Sequence, residues 1–187
     1  MNKEKIPYRQ FFLRAAITSV VVGVAVLAGM AMFKSRYLIM YDPQQERCLP
    51  NYSIYLVDLK DKELVKGKPY AFKAKGIMPW LDNIHEKARK LKDHYKDGRV
   101  LLKVVDAIEG DKIKVGENTL WINGKVHPAG GLILAPTLQL PKSTFVRDIT
   151  VKRGEYWFFG RTNNSFDSRY WGPVVQDQIV GRAYPIL

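Results

Sequence analysis

The chain has 187 residues, of which 47% are hydrophobic and 26% charged, which fits one globular domain plus a further segment. Its formal net charge of +12 could indicate nucleic-acid binding, but no helix-turn-helix, zinc-ligand or aromatic-basic module accompanies the charge. We therefore expect no nucleic-acid partner, and we attribute the scattered lysines and arginines to attraction toward an anionic membrane surface.

An apolar run near the N-terminus accounts for the further segment. Residues 15–33 are broken only by Thr18, Ser19 and glycines, and they approach the roughly 20 residues that a spanning helix needs. More basic residues precede the run than follow it closely, so the positive-inside rule predicts a cytoplasmic segment 1–14, an anchor at 15–33 and an extracytoplasmic domain at 34–187. A cleavable signal peptide is the alternative, but the run exceeds the ~7–15 residues usual for one, and no small-x-small site follows it.

Cys48 is the single cysteine of the chain. Exported proteins usually pair their cysteines in disulfides, so a lone thiol outside the cytoplasm needs an explanation. It can be a buried structural residue, a residue that pairs between molecules, or a nucleophile. Composition alone leaves all three open.

The domain beyond the anchor has the alternation typical of a β protein. Short segments rich in β-branched and aromatic residues are separated by glycine and proline. The predicted strands are 52–59, 70–73, 100–107, 112–115, 150–159 and 178–185. Asn123-Gly124 predicts a type I′ hairpin over 119–126, because both turn residues must accept positive φ. The glycines and prolines of 130–142 predict a long surface connection.

One segment has a different period. Apolar residues from Ile77 to Tyr95 recur at helical spacing, which predicts an amphipathic helix over 77–97, ended by Gly98. Such a helix either packs its apolar stripe on the sheet or lies on the membrane or over a groove. The predicted fold class is therefore mainly β: an antiparallel, coiled or barrel-like domain with one amphipathic helix, preceded by a single N-terminal transmembrane helix.

A lysine lies inside one of the most apolar predicted strands. Lys103 follows Val100-Leu101-Leu102 and precedes Val104-Val105. A lysine amine can act as a base only when it is neutral, and burial in an apolar pocket favours the neutral form. On spacing alone a solvated placement of Lys103, opposite buried neighbours, is favoured over a buried one.

A dense run of polar side chains lies between two predicted strands, at Asn164-Ser165-Phe166-Asp167-Ser168-Arg169-Tyr170-Trp171-Gly172-Pro173-Val174. Taken by itself, 163–165 indicates a turn and Asp167/Arg169 an ordinary surface ion pair. The run resembles the last signature box of the type I signal peptidases. Two further segments resemble boxes of that family in the same order: Cys48-Leu49-Pro50 and Lys103-Val104-Val105-Asp106-Ala107-Ile108-Glu109-Gly110-Asp111.

The resemblance implies a membrane-anchored peptidase with a Cys/Lys dyad. Cys48 matches the position of the nucleophile and Lys103 that of the base. Ser165 matches a serine that orients the Lys103 amine, while Asp167 and Arg169 are expected to form an ion pair that holds the loop. No metal or other cofactor is implied, and the spacing of the three histidines forms no metal-ligand set.

The chain departs from the common pattern of that family at three places. Cysteine replaces the commoner serine nucleophile, Glu46 stands where a hydroxyl often supports the oxyanion hole, and the Gly160-Arg161 approach to the last box lacks the usual acid-asparagine pair. Pro50 resembles the TraF-type branch, whose members process pilins for conjugative transfer. A thioester at Cys48 would be prone to attack by amines, so the branch implies either hydrolysis or head-to-tail closure of a pilin.

The resemblance also implies a substrate, a location and partners. The substrate is an exported preprotein, in this branch a propilin, from which the enzyme removes a leader; small residues are expected at the first and third positions before the cut. Tyr52, Tyr55 and Trp171 are candidates for the strand edge that recognises them. The expected location is the bacterial inner membrane, with a single pass, a cytoplasmic N-terminus and a periplasmic domain in contact with membrane lipid and proteins of a conjugation machine.

Four alternatives stay open. A Cys48/His127 pair would make a different thiol protease, and Ser53 would be the nucleophile if Cys48 were incidental. An inactive peptidase-like subunit of a conjugation or secretion machine would explain the cysteine as decay of a serine, although the retained lysine and serine boxes count against it. A general signal peptidase would differ only in its range of substrates.

Overall fold

The computed structural model of the protein describes residues 8–41, 49, 52–76 and 96–187. The chain divides into two units, Met1–Tyr37 and Leu38–Leu187. The predicted amphipathic helix over 77–97 lies outside the described residues except for its last two positions, which are not helical. Cys48 also lies outside them.

Apart from Tyr37, the described residues of the first unit form one long helix. The helix α1 spans Tyr8–Arg36, and none of its residues is buried. At 1.5 Å per residue its 29 residues extend over about 43 Å, more than the roughly 30 Å of a bilayer's hydrocarbon core. Its length and apolar composition make it a candidate membrane span that contains the predicted segment 15–33 and continues at both ends. Lys34 and Arg36 lie in its last turn, where cations complement the helix dipole.

The described residues of the second unit form two β-sheets and a few short helices, and the first strand begins at Tyr37, the last residue of the first unit. Its strands are β1 Tyr37–Tyr41, β2 Ile54–Asp58, β3 Pro69–Lys73, β4 Val100–Ala107, β5 Lys112–Val115, β6 Leu120–Ile122, β7 Lys125–His127, β8 Arg147–Thr150, β9 Glu155–Phe159, β10 Val174–Val175 and β11 Ile179–Pro185. Seven strands form one sheet in the order β1-β2-β11-β3-β4-β9-β10, and four form the other in the order β7-β6-β5-β8. The pairings from β2 to β10 and throughout the smaller sheet are antiparallel, so the mainly antiparallel β class is confirmed.

The remaining described elements are short. A four-residue helix α2 spans Ser168–Trp171, and 3₁₀ helices span Lys142–Phe145 and Gln176–Gln178. Asn123 and Gly124 have φ values of 51° and 77°, which confirms the positive-φ hairpin turn between β6 and β7.

Two sequence predictions about the domain were wrong in detail. The segment 150–159 is not one strand, because a turn containing Gly154 at φ 79° separates β8 of the smaller sheet from β9 of the larger one. The segment 130–142 is not a surface connection throughout. Leu132 and Leu138 are at most 1% exposed and belong to the main core, since apolar side chains between the turns face inward.

The two faces of β4 serve different cores. Leu101 and Val105 belong to the larger core cluster, whereas Val104 belongs to a smaller one that includes Leu49 and Tyr55. Side chains alternate along a strand, so Lys103 lies on the same face as Leu101 and Val105. The fold therefore directs the lysine toward the larger core rather than toward solvent.

Candidate active site

The central contact of the site joins Lys103 and Ser165. The Lys103 amine Nζ lies 3.0 Å from Ser165 Oγ, to which it donates a hydrogen bond. Both residues are only 2% exposed. The solvated placement of Lys103 that spacing alone favours is therefore wrong, and the placement implied by the family resemblance is the one observed.

Sheet topology explains why residues 62 positions apart meet. Lys103 on β4 pairs with Tyr70 on one side, and the next residue, Val104, pairs with Phe159 of β9 on the other. The chain leaves β9 at Gly160 and turns back through a Thr162–Ser165 backbone hydrogen bond of 3.2 Å. This turn returns Ser165 to the strand that carries the lysine.

Gly160 is required by this close return. A Cβ atom at Gly160 would lie 2.1 Å from Ser165 Oγ and 2.3 Å from its Cβ. The Gly160 N–H also donates to Asp167 Oδ2 at 3.0 Å, so the backbone cannot move away without losing a buried hydrogen bond. Gly160 is therefore required because the absence of a side chain leaves room for Ser165.

We expect Gly160→Ala to displace Ser165 from Lys103 and to destabilise the domain by about 1–3 kcal/mol, the usual cost of forcing extra atoms into a packed site. Thermal unfolding and cleavage assays measure the two effects. Gly154→Ala is a stringent control, because it adds the strain of a positive φ that Gly160 does not have, whereas its Cβ would meet no atom within 4 Å. If the Gly160 variant loses no more stability and activity than the control, this account of the turn is wrong.

A buried ion pair fixes the rest of the box. Arg169 and Asp167 are both fully buried, with Arg169 Nε 2.8 Å from Asp167 Oδ1 and Nη2 2.9 Å from Oδ2. The same guanidinium donates to the carbonyls of Ser165 at 2.7 Å, of Gly131 at 2.8 Å and of Ala129. The interpretation as a surface pair is therefore wrong. Arg169 ties the loop that carries Ser165 to the segment after β7.

An aromatic cluster reaches the lysine amine through Trp171. Phe166 stacks on Tyr170 at 5.3 Å and meets Trp171 edge-on at 5.0 Å, and the Trp171 ring centroid lies 5.9 Å from Lys103 Nζ. The Tyr170 hydroxyl accepts the Leu134 N–H at 2.9 Å, and burial raises the pKa of Tyr170 above its ordinary value. Phe166 packs against Trp171, the ring that lies beside the amine.

Asp111 anchors the turn at the end of the lysine box. Its carboxylate accepts hydrogen bonds from the Lys66 amine at 2.8 Å, the Ile108 N–H at 2.9 Å and the Asn123 amide at 2.6 Å. Burial by itself would raise the pKa of Asp111, but these bonds outweigh burial and hold the pKa below its ordinary value. The last residue of the box is therefore a structural carboxylate.

Sequence reasoning missed a second charged cluster. Arg161 forms a bidentate pair with Asp106, with N–O distances of 2.6 and 2.9 Å, and His127 Nε2 lies 3.4 Å from the same carboxylate. His127 Nδ1 accepts the Ala129 N–H at 3.2 Å. Asp106, a carboxylate within an apolar strand, supplies the charge opposite to Arg161. The presence of Asp106 in so apolar a segment was the feature of the sequence that could have indicated this cluster.

The proposed nucleophile is not among the described residues, and neither are Glu46 and Pro50. Leu49, the residue after Cys48, is 7% exposed and packs in the smaller core. The alternative nucleophile Ser53 lies just before β2, where its backbone N–H donates to the Leu187 carbonyl. Cys48 as nucleophile, the Cys48/His127 pair and Ser53 as nucleophile all remain predictions.

A family model described as "Signal peptidase, peptidase S26" matches residues 13–187. The Probable signal peptidase I-2 of Synechocystis sp. is 27% identical over 84 residues, covering 44% of this chain and 36% of its own length. The Thylakoidal processing peptidase 1, chloroplastic, of Arabidopsis thaliana is 26% identical over 177 residues, covering 91% and 46%.

The Signal peptidase I V of Bacillus subtilis is 32% identical over 100 residues, covering 46% of this chain and 56% of its own length. The chain thus spans between about a third and a little over half of the length of these curated relatives. A signal peptidase I of Enterococcus faecalis with a solved structure has a TM-score of 0.37 and 20% identity, covering 66% of this chain and 98% of its own. Because the family model matches nearly the whole chain, the protein belongs to the signal peptidase family, peptidase S26.

Proposed function

We propose that this protein is a membrane-anchored endopeptidase of the signal peptidase type, in which Lys103 is the general base and Cys48 the nucleophile. The observation that carries the proposal is the buried Lys103 amine bonded to Ser165 Oγ at 3.0 Å. Burial opposes the charged form of an amine, and a neutral amine can accept a proton from a thiol. A serine hydroxyl beside the amine fixes its direction while the proton moves.

The reaction proceeds by acyl transfer. The Cys48 thiol gives its proton to Lys103 Nζ as sulfur attacks the scissile carbonyl carbon, and the peptide C–N bond breaks as the leaving amine takes that proton. The acyl group, which is the part of the substrate before the cut, is now a thioester on Cys48. Lys103 then removes a proton from the attacking water, the C–S bond breaks, and the thiol is restored with release of a carboxylate.

An amine in place of water gives the second outcome. Thioesters react readily with amines, so an N-terminal amine of the bound acyl group can attack the thioester and form a new peptide bond. Head-to-tail closure of a pilin by this route requires the pilin itself to be the acyl group, so the segment removed would follow it in the chain. The cysteine and Pro50 support a propilin as the substrate and the conjugative branch as the setting, with proteins of that machine as partners.

The membrane placement completes the proposal. The helix α1 is the anchor, the excess of basic residues before it places the N-terminus in the cytoplasm, and the Leu38–Leu187 domain lies on the periplasmic side of the bacterial inner membrane. Contact with anionic lipid is favoured by the net charge of +12. The peptidase domain would then cut exported chains at the outer surface of the membrane, where they emerge.

The test is cleavage by the full chain in detergent or liposomes of two membrane-embedded substrates, a candidate propilin and an ordinary secretory preprotein. Mass spectrometry of the products separates a linear acid from a cyclic product that is lighter by one water. Cleavage of the propilin alone supports the conjugative assignment, and cleavage of both indicates a general signal peptidase. If neither is cut, while each is cut by a known signal peptidase under the same conditions, the inactive-subunit alternative replaces this proposal.

A further inference from the structure

The Lys103 amine has a second neighbour besides Ser165. It lies over the indole ring of Trp171, with Nζ 5.9 Å from the ring centroid. A cation is attracted to the face of an aromatic ring within about 6 Å of its centroid, and indole is the strongest of the aromatic partners. The attraction acts on the ammonium form of lysine, because the neutral amine carries no net charge. The ring therefore favours protonated over neutral Lys103.

The loop that carries Ser165 also fixes the position of the Trp171 ring. Trp171 ends α2, and its backbone N–H donates to the Asp167 carbonyl at 3.4 Å. Phe166 meets the ring edge-on at 5.0 Å, and Trp171 packs against the main core while it stays half-buried. The fully buried ion pair of Asp167 with Arg169 holds this loop in place. The hydroxyl and the ring thus reach the amine from one anchored segment.

Other titratable groups on the elements around the amine have partners of their own. On β3, Tyr70 pairs with Lys103 across the strands, but its hydroxyl accepts the Val65 N–H at 2.9 Å, and burial raises the pKa of Tyr70. On β4 and in the loop, two carboxylates are held by partners: Asp106 by Arg161 and His127, and Asp167 by Arg169. The local charge balance of Lys103 is therefore set in part by its contacts with Ser165 and Trp171.

These two contacts respond differently to the proton. The Ser165 hydroxyl can bond to the amine in either protonation state, whereas the Trp171 ring attracts only the ammonium. In the proposed reaction the neutral amine becomes an ammonium as it takes the proton of the attacking thiol, and it returns to neutral when the leaving amine takes that proton. The ring contact thus strengthens while the thiol is deprotonated. An interaction that strengthens on the way to the transition state increases the rate.

We propose that Trp171 is a positioning residue of the base, whose ring stabilises the charge that Lys103 acquires as the nucleophile loses its proton. The inference rests on the proposed function, since it assigns a further residue to the same site. It differs from a shielding role, in which the ring would only keep water away from the amine. Shielding favours the neutral amine, whereas the contact with the ring face favours the ammonium. The two roles therefore predict opposite changes in the pKa of Lys103 when the ring is removed.

The experiment follows that pKa in two ways. First, kcat and KM of the full chain in detergent are measured against pH for wild type, Trp171→Leu and Trp171→Phe, with the membrane-embedded propilin or preprotein as substrate. Second, lysine that is isotope-labelled at Cε is incorporated, and its NMR signals are titrated in a Cys48→Ala background, where the signal missing from Lys103→Met identifies Lys103. Trp121→Leu is the matched control, because Trp121 is also half-buried and its ring centroid lies 5.6 Å from Lys114 Nζ.

We expect the midpoint of the Lys103 titration, and with it the acid limb of kcat/KM, to move to lower pH in Trp171→Leu by about 0.4–0.7 of a unit, the effect of a contact at the weak end of the cation–π range. The plateau value of kcat should fall about two- to fivefold, because Lys103 is then a weaker base, and KM should not change. Trp171→Phe should change in the same direction by less. Trp121→Leu should leave all three quantities at their wild-type values.

A fluorinated tryptophan supplies a variant that keeps the packing if Trp171→Leu does not fold. Fluorotryptophan has a ring of nearly the same shape whose face is less electron-rich, so it attracts an ammonium less strongly. Its incorporation should lower the Lys103 midpoint in a chain that retains Trp171 and should leave the midpoint unchanged in Trp171→Phe. This comparison assigns the effect to the ring at one position.

Three results would overturn the inference. A Lys103 midpoint that stays in place or moves to higher pH would show that the ring only fills space or excludes water. A rise in KM with an unmoved acid limb would assign Trp171 to substrate recognition, and an equal shift in Trp121→Leu would attribute the change to the protein as a whole. If wild type cleaves no substrate, the proposed function fails, and the titration in Cys48→Ala decides separately: a lower midpoint without the ring supports the stabilised ammonium, and an unmoved one refutes it.

Discussion

Replacing Lys103 by methionine is expected to lower kcat/KM for substrate cleavage by about 10²- to 10⁴-fold, the usual contribution of a general base. Methionine fills a similar volume without an amine, so the thiol of Cys48 loses its proton acceptor. The buried position at 2% exposure excludes simple replacement of the amine by bulk water. Initial rates at several substrate concentrations measure the effect.

The fold should survive this substitution. The lysine lies among apolar side chains, and an apolar residue of similar size is tolerated at such positions. The thermal unfolding temperature of Lys103→Met should therefore stay near that of wild type. Lys112→Met, at an exposed position of β5, is the matched control for loss of one lysine, and it should cut at the wild-type rate. Cleavage by Lys103→Met within tenfold of wild type would show that Lys103 is not the base and that its bond to Ser165 is structural only.

Replacing Arg169 by leucine is expected to destabilise the domain by about 3–5 kcal/mol, the cost of leaving one member of a buried ion pair without its partner. Asp167 would keep its charge inside the core, and the carbonyls of Ser165 and Gly131 would lose their donor. Denaturant titration followed by tryptophan fluorescence reports the free energy of unfolding, since Trp157 is buried in the same core.

Two further variants test whether a buried, uncompensated charge causes this loss of stability. Lys75→Ala removes one member of an exposed pair with Asp177, at 3.2 Å and with side chains 70% and 63% exposed, and should change the free energy of unfolding by no more than about 0.5 kcal/mol. The double variant Asp167→Ala/Arg169→Leu should lose less stability than Arg169→Leu alone, because no uncompensated charge remains. A loss below about 1 kcal/mol in Arg169→Leu would contradict the role assigned to the pair.

The local sequence pattern predicted the bounds of a strand correctly where residues that end strands lie on both sides of it. β4 and β5 match their predicted bounds, since glycines and charged residues delimit them. The prediction of a single strand over 150–159 was wrong, because a turn at Gly154 interrupts the segment although the residues on both sides of it have the composition of a strand. The apolar residues of 130–142 were missed as core, because the glycines and prolines that shape the segment do not show where its leucines point.

The site was predictable only in part. Alternation favoured the wrong, solvated placement of Lys103, because both faces of β4 are apolar and each serves a different cluster. The resemblance of the two boxes to a family predicted the buried placement correctly. It also predicted that Ser165 contacts Lys103 and that Asp167 pairs with Arg169. The pairing of Arg161 with Asp106 joins residues 55 positions apart, and no local pattern in either segment specifies it.

The measurement that tests the dyad most directly is mass spectrometry of the full chain, quenched with acid during cleavage of a membrane-embedded substrate. We expect a covalent adduct with the mass of the acyl fragment, mapped by proteolysis to Cys48, present in wild type and absent in Cys48→Ala. Lys103→Met should accumulate little adduct, since the thiol is no longer deprotonated. An adduct on Ser53, or continued cleavage by Cys48→Ala, would place the nucleophile elsewhere and contradict the account.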